Sequence, residues 1–375
     1  MGSQAMKPIR VVFAWENLGP SHFDRIEACA ADPAMAVAAV EFFGTSIVYD
    51  WDSAGLAGVR RVTLYPDGRS LRNPLLVLRL IRACLAPRPD AVFLCHYNYL
   101  PVFLAALVLR VRGVRTFTMI DSKFDDMDRS VWREAIKALL LAPYHGAMAG
   151  SRRTIEYLHF LGFQRRPIAE GFDTLDIARI AARAPASVEG QPPTHSQRDF
   201  LVVARLIREK NLEFALRAFA EWRQQAVHPR ALRILGAGPL EAPLRALAAE
   251  LGVADQVRFE GAATPDQVAQ AMRDALALVF PSVQETFGFV VIEALAQGLP
   301  VLISTKPGAV DDLIDNGVNG WLVDPWRPAG LVAAMALLDR DEQTWRAASV
   351  AASASSERGD VRHFVSAVKA LAQPG

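Results

Sequence analysis

Short apolar runs recur along the first half of the chain, each followed by a stretch whose apolar positions repeat at helical spacing. Ile9–Trp15 (IRVVFAW), Met35–Phe43 (MAVAAVEFF), Ala91–Cys95 (AVFLC) and Arg115–Ile120 (RTFTMI) are rich in Val, Phe and Ile. Runs this short, apolar on both faces, predict buried strands of a parallel sheet. Helical spacing predicts helices over 22–31, 74–86, 99–112, 129–141 and 152–161. Such alternation defines a doubly wound α/β sheet.

The pattern breaks at SVEGQPPTHSQRD (187–199), which is polar, aperiodic and holds two adjacent prolines, so a linker is expected there. It then restarts. DFLVVAR, ALRILGAG, QVRFEGA, LALVFPS, PVLIS and WLVDP read as strands, and NLEFALRAFAEWRQQ, PLEAPLRALAAELG, TPDQVAQAMRDA and VVIEALAQG as helices. Thr264, Pro265 and Gln267 form a helix start with a capping box. The expected organisation is α/β: two Rossmann-like domains over 1–186 and 200–355, joined by 187–199, with a closing helical segment over 356–375. A length of 375 residues suits two domains.

Composition narrows the function. Lys and Arg number 41 against 40 Asp and Glu, a net charge of +1, which excludes wholesale coating of nucleic acid. Three cysteines, Cys29, Cys84 and Cys95, fit neither a disulfide framework nor a metal framework, so free thiols in a reducing cytoplasm are expected. MGSQAM lacks the basic region and apolar core of a signal peptide and reads as an appended remnant ahead of a natural start at Met6. Ala91–Leu109 is free of charge but contains His96, Asn98 and Pro101, and it divides into a strand and a helix better than it spans a bilayer. Charge is uneven: residues 60–115 hold ten arginines against Asp67 and Asp90, a local +8. That stretch is read either as a patch for anionic lipid headgroups or a phosphorylated acceptor, or as solvated arginines on outer helix faces.

Chemistry is expected at the carboxyl ends of the strands, where loops feed helix N-termini. ARLIREKN (204–211) places Arg205 and Lys210 there, LGAGP (235–239) is a glycine turn with Gly236, and PSVQETFGFVVIEA (281–294) carries Glu285 and Glu293. Two cations suit a diphosphate, and two carboxylates accept hydrogen bonds from the vicinal hydroxyls of a sugar and a ribose. Singly each has an ordinary explanation: Lys210 a solvated helix start, Glu285 a partner of its helix dipole, Glu293 an exposed helix acid.

From Leu201 to Pro325 the ordered series ARLIREKN, ILGAGPLEAPLRALAAELG, VRFEGAATPDQV, LVFPSVQETFGFVVIEALAQGLPVL and NGVNGWLVDP resembles the donor domain of glycosyltransferase family 4. The resemblance implies the GT-B fold, two Rossmann-like domains facing a central cleft that closes on the donor. It implies retaining transfer from a nucleoside diphosphate sugar, UDP- or GDP-linked, with no metal ion and no cofactor, the nucleotide sugar being a substrate. Arg205 and Lys210 would hold the diphosphate. Glu285 would contact the donor sugar, beside Thr286 and the Phe287–Gly288–Phe289 amides, with Gly236 in the donor site. Glu293 would bind the ribose, and Gly261 would lie near the base.

PDAVFLCHYN resembles the family strand that ends in a histidine beside the donor sugar, which nominates His96; the alternative is a packed core histidine. GAMAGS and IAEGFDT match a structural strand and turn, which assigns Ser151, Gly171 and Asp173 to the scaffold. WENLGPSH offers only Gly19 where the family often has two glycines for a phosphate contact, and Asp121 stands where members often carry histidine. The segment VRHFVSAVKALA is expected to cross back onto the first domain, as in family members. Asp126 and Asp128 in DDMD have the spacing of metal-dependent transferases of another fold, but Asp128 as a helix N-cap also accounts for them.

The implied acceptor is a hydroxyl, lipid-linked or on a small molecule, in bacterial polysaccharide or glycolipid assembly. The enzyme would be cytoplasmic, with the basic region as its route to the inner membrane face. Two other readings fit the architecture: a nucleotide-sugar epimerase, and a non-catalytic nucleotide-sugar-binding subunit of a membrane complex.

Overall fold

The computed structural model describes residues 7–44, 56, 58–66, 75–184 and 192–373. The chain forms two compact units, Met1–Asp176 with Val361–Gly375, and Ile177–Asp360.

The first unit is built on a parallel sheet of β1 (Ile9–Trp15), β2 (Met35–Phe43), β3 (Arg60–Tyr65), β4 (Ala91–Leu94), β5 (Arg115–Ile120), β6 (Gly146–Ala149) and β7 (Ile168–Glu170). Their spatial order is β3-β2-β1-β4-β5-β6-β7. Alternation along β1 sends Val12 and Ala14 to one face and Val11 and Phe13 to the other, and both faces are buried. On the first face, helices Leu75–Leu85, Leu100–Val111 and Arg152–Phe160 contribute Leu80, Val102, Leu109 and Leu158 to the core. On the second, Pro20–Ala30 and Arg362–Ala372 contribute Ile26, Phe364 and Val368. The returning C-terminal helix is thus part of this unit. Phe364 packs 5.4 Å from the Phe13 ring, and the Arg115 guanidinium donates to the carbonyls of Leu371 and Gln373 at 2.6 Å.

The second unit repeats the plan with β8 (Phe200–Val203), β9 (Leu232–Leu235), β10 (Val257–Gly261), β11 (Ala277–Phe280), β12 (Val301–Ser304) and β13 (Gly320–Val323), all parallel in the order β10-β9-β8-β11-β12-β13. Helices Leu212–Arg223 and Pro328–Arg340 bury Leu216, Phe219, Trp222 and Met335 against Phe200, Val202 and Ile234. In each sheet the winding direction reverses once, between β1 and β4 and between β8 and β11. Those are the two crevices where a doubly wound sheet binds ligands.

Three expectations change. The units divide at Asp176/Ile177 and Asp360/Val361, ahead of the expected 187–199 linker and after the expected boundary at 355/356. The short helix Ile177–Ala182 belongs to the second unit: Gln297 Nε2 donates to the Ile180 carbonyl at 2.7 Å, and Arg273 donates to that of Ala181 at 3.4 Å. Within 187–199, residues 187–191 lie outside the described residues, while His195 and Arg198 are fixed by the buried Arg230, which donates to both carbonyls at 2.6 Å. The polar, proline-bearing stretch thus lies within the second unit and not at the boundary between the two. Second, β3 was not expected, because it opens on Arg60 and Arg61 and lies at a sheet edge. Third, Asp128 is no N-cap: the helix starts at Val131, with Ser130 at the cap. The stretch Ala91–Leu109 is indeed β4 and the following helix, and no helix among the described residues is long and apolar enough to cross a membrane.

Candidate active site

At the crevice of the second unit, the loop after β8 carries Arg205, an exposed residue, and leads into a single 3₁₀ turn, Arg208–Lys210. Asn211 ends that turn at φ 53°, a left-handed conformation that asparagine tolerates. Its amide donates to the carbonyls of Pro281 and Pro325, at 3.3 and 3.0 Å. The Val283 amide donates to the Glu209 carbonyl at 2.9 Å, so the loops after β8 and β11 are tied together across the reversal point.

Across that tie Lys210 and Glu285 form an ion pair, their side chains 14% and 18% exposed. The Lys210 ammonium also sits 5.5 Å from the centre of the Phe280 ring. Phe280, the last residue of β11, floors this corner: a Cβ on Gly288 would lie 3.0 Å from its ring and 3.6 Å from Glu285 Cγ. Gly288, at φ 110°, caps the helix Phe289–Ala296 and lets the chain turn tightly from the Glu285 loop into the helix. Phe287 is buried, and its carbonyl accepts from Ala309 N at 3.1 Å. Thr286 and Phe289 are half-buried beside it. Glu293 lies farther along the same helix, half-buried, and borders a crevice of about 10 Å³ with Arg183, Val268 and Gln297. That space admits a water and excludes a ribose.

Gly236 follows β9 at φ 141°, and a Cβ there would fall 1.9 Å from the Ala204 carbonyl oxygen. The glycine lets the β9 loop lie flat against the Arg205 loop, and its amide donates to the Gly261 carbonyl at 2.7 Å. Gly261 ends β10 at the sheet edge, two strands from β8. The structure therefore brings Lys210, Glu285 and Gly288 into one corner, with the Arg205 and Gly236 loops in contact beside it.

At the crevice of the first unit, His96 follows β4 in the left-handed conformation, φ 59°, and stacks on Tyr99 with ring centres 5.1 Å apart. Tyr99 Oη donates to Glu16 Oε2 at 2.8 Å, and Glu16 is buried just after β1. His96 is therefore held at a strand end beside polar groups, unlike a histidine inside an apolar core. The Gly19 amide, at the start of helix Pro20–Ala30, donates to His22 Nδ1 at 2.9 Å, so the proton expected for a phosphate is given to His22. Burial first, then the positive charge of Arg25 and the proximity of His96, holds His22 well below its ordinary pKa. Glu16, Tyr99, His22 and Phe280 went unread in the sequence. Glu16 and His22 sit in the quoted WENLGPSH, and position directly after a strand was the signal that marked them.

Ser151, Gly171 and Asp173 have scaffold roles. Ser151 Oγ accepts from Thr154 N at 3.2 Å as the N-cap of its helix, and Gly171 at φ 127° leaves room for the His363 backbone. Asp173 faces buried Arg25 at 3.7 Å, and burial together with Asp121 pushes its carboxyl up to about 8. In DDMD, buried Lys123 pairs with Asp125 and Asp126 at 2.9 and 2.7 Å, and the Lys123 amide donates to Asp126. Asp126 serves as an internal counter-ion, and Asp128 is exposed.

Two parallel, doubly wound units with polar residues gathered at both reversal points define the GT-B architecture. Solved structures agree: the lipopolysaccharide outer core galactosyltransferase WaaB superposes with a TM-score of 0.72 at 18% identity, covering 97% of this chain and 99% of that one. Anabaena HepE in complex with UDP superposes with a TM-score of 0.73 at 16% identity and the same coverage. The family of glycosyl transferases group 1 matches residues 187–354, nearly all of the second unit. The putative colanic acid biosynthesis glycosyltransferase WcaL of Salmonella typhimurium is 32% identical over 291 residues, 73% of this chain and 67% of that protein. The chain belongs to the glycosyltransferase group 1 family. Matches to two other curated glycosyltransferases span 32% and 46% of their lengths.

Proposed function

We propose that this protein transfers a sugar, with retention, from a nucleoside diphosphate donor to a hydroxyl acceptor without a metal ion, in assembly of a bacterial polysaccharide or glycolipid. The observation that carries the proposal is the Lys210–Glu285 pair at the β8/β11 reversal point, with Lys210 on the loop that also carries Arg205. A cation held against a carboxylate at a strand end is placed to meet a phosphate on one side while the carboxylate accepts from sugar hydroxyls on the other. The group 1 family and the kinship with WcaL favour transfer and surface polysaccharide, and neither the epimerase nor the non-catalytic subunit gains an observation of its own. HepE binds UDP, which supports a nucleoside diphosphate donor here.

In the proposed reaction the bond from the sugar's anomeric carbon to the diphosphate oxygen breaks. The acceptor oxygen bonds to that carbon on the same face, and its proton passes to the departing phosphate. The protein's part is positioning and charge. Arg205 and Lys210 stabilise the negative charge that grows on the diphosphate, and Glu285 orients the sugar through its hydroxyls. Glu293 accepts from the ribose, approached from a side other than its narrow crevice. His96, fixed by Tyr99 and Glu16, lies beside the sugar.

Thermal unfolding with UDP, GDP and ADP, with and without EDTA, tests the donor half. A nucleotide at 100 times its dissociation constant should stabilise its unit by about 2.7 kcal/mol. One nucleotide should raise the melting temperature, keep its effect in EDTA and lose it in Glu293→Ala. No shift from any of them at millimolar concentration would sink the proposal. Transfer to an acceptor, with the product's anomeric configuration read by NMR, tests the rest.

A further inference from the structure

Three helices on one face of the first sheet, Leu75–Leu85, Leu100–Val111 and Val131–Leu140, share a surface of unusual chemistry. An outer helix normally turns apolar residues inward and charges outward. Val131–Leu140 does the reverse. Its only fully buried residue is Glu134, bonded to Tyr157 and Lys137 and facing Arg129, while Trp132, Ile136 and Leu139 are 81%, 57% and 65% exposed. Leu100–Val111 bares Leu104 and Leu107 one turn apart. Together the three helices carry ten of the eighteen large apolar side chains exposed among the described residues.

Their charges have one sign. Glu134 is the sole acid in the three helices, and it is buried; Arg79, Arg82, Arg110 and Arg133 are exposed. Arg110 donates to the Pro143 carbonyl at 3.0 Å, holding the end of the second helix against the turn that follows the third. These arginines include part of the basic 60–115 stretch; Arg69 and Arg72 lie outside the described residues.

We infer that this helical face docks on an anionic lipid bilayer, with Trp132, Ile136 and Leu139 entering the headgroup layer and the arginines meeting lipid phosphates. The observation is three helices that together bare apolar and aromatic side chains and exposed arginines and carry no exposed acid of their own, which complements an anionic interface. A second copy of the chain fits worse: a two-fold contact would set this patch against itself, arginine facing arginine with no acid between. The inference deepens the partner side of the proposed transferase, since a bilayer surface is where a lipid-linked acceptor would be met. Its test needs neither donor nor acceptor.

The full chain is sedimented with vesicles of phosphatidylcholine alone, and with vesicles containing about one third phosphatidylglycerol, at low and high salt. Binding should require the anionic lipid and weaken with salt. Arg82→Glu with Arg133→Glu should lower the affinity at least about 25-fold, at about five-fold for each surface cation. Trp132→Ser with Ile136→Ser should lower it about tenfold or more. All four side chains are exposed or nearly so, and circular dichroism and melting check that each variant folds; the charge pair stands as the test if the apolar pair does not. Absence of binding to anionic vesicles, or binding that both variants retain, overturns the inference. So does concentration-dependent self-association that Trp132→Ser abolishes, which would make the face a contact between copies. A failed vesicle assay leaves the nucleotide melting shift intact, so the two claims fall separately.

Discussion

Lys210 and Glu285 are the place to separate structure from chemistry. At 14% and 18% side-chain exposure the pair lies between a surface ion pair, worth about 0–1 kcal/mol, and a fully buried one, whose rupture costs about 3–5 kcal/mol. Lys210→Met leaves Glu285 without its ion-pair partner in a corner floored by Phe280, so a cost of about 2 kcal/mol is expected. For a unit of this size that lowers the melting temperature by about 4–8 °C. Glu285→Gln strands the ammonium and should cost a similar amount. The double variant has no unpaired charge and should recover much of the loss, giving a favourable coupling in a double-mutant cycle. Catalysis should behave differently. If Lys210 stabilises the leaving diphosphate, its removal lowers kcat about 100-fold or more, and the double variant regains none of it. Calorimetry and sugar transfer, or donor hydrolysis, on the four proteins read both quantities. Full turnover in Lys210→Met, or activity returning in step with stability in the double variant, would refute the reasoning and leave the pair a structural bridge.

Other outcomes follow from single contacts. Gly236→Ala drives a Cβ to 1.9 Å from the Ala204 oxygen, so soluble yield or melting of the second unit should collapse; a shift within 1–2 °C would contradict the close packing of the two loops. Arg230 and Asp339 are fully buried and bonded at 2.7 Å, so Arg230→Met should cost about 3–5 kcal/mol by denaturant unfolding. Asp173 has a folded pKa of about 8, above its unfolded value, so the folded state binds the extra proton and stability falls as pH rises through about 4 to 8. Asp173→Asn should flatten that part of the stability profile, and an unchanged slope would assign it elsewhere. Burial pushes the Cys84 thiol up to about 12 and raises Cys29 and Cys95 as well, so native protein should resist iodoacetamide at neutral pH.

Much of the fold was legible because both units write it in the same way. Strands such as Ile9–Trp15 are apolar on both faces, and the helices between them keep a 3.6-residue period, so most strands of both sheets can be read from the sequence alone. Edges were harder. Strand Arg60–Tyr65 lies at the sheet edge, is mostly half-buried and opens with two arginines, and the domain boundary falls at Asp176/Ile177, where a six-residue helix anchors by Ile177 and Ile180 and gives no periodic signal. In the site, residues at strand ends were readable from position and charge: Arg205, Lys210 and Glu285. Residues that act through a neighbour were not. Tyr99 matters because its ring lies on His96 and its hydroxyl reaches Glu16, a relation across 83 positions that no local spacing encodes. The outward face of Val131–Leu140 was hidden for another reason: its apolar period predicts a helix correctly but says nothing about which side the sheet will take.

The return of Arg362–Ala372 to the first unit sets an order of assembly. Phe364 and Val368 complete a core begun by Val11 and Phe13, and the whole second unit lies between these segments along the chain. A ribosome therefore releases every residue of the second unit before it releases the helix that the first is missing. The second unit can fold as a contiguous stretch while the first waits with one face of its sheet covered only by Pro20–Ala30, a period in which chaperones or proteases have access to it. Pulse proteolysis of a released chain truncated after Asp360 should find the second unit protected and the first still open; a first unit already resistant in that chain would show that its last helix is dispensable for closure.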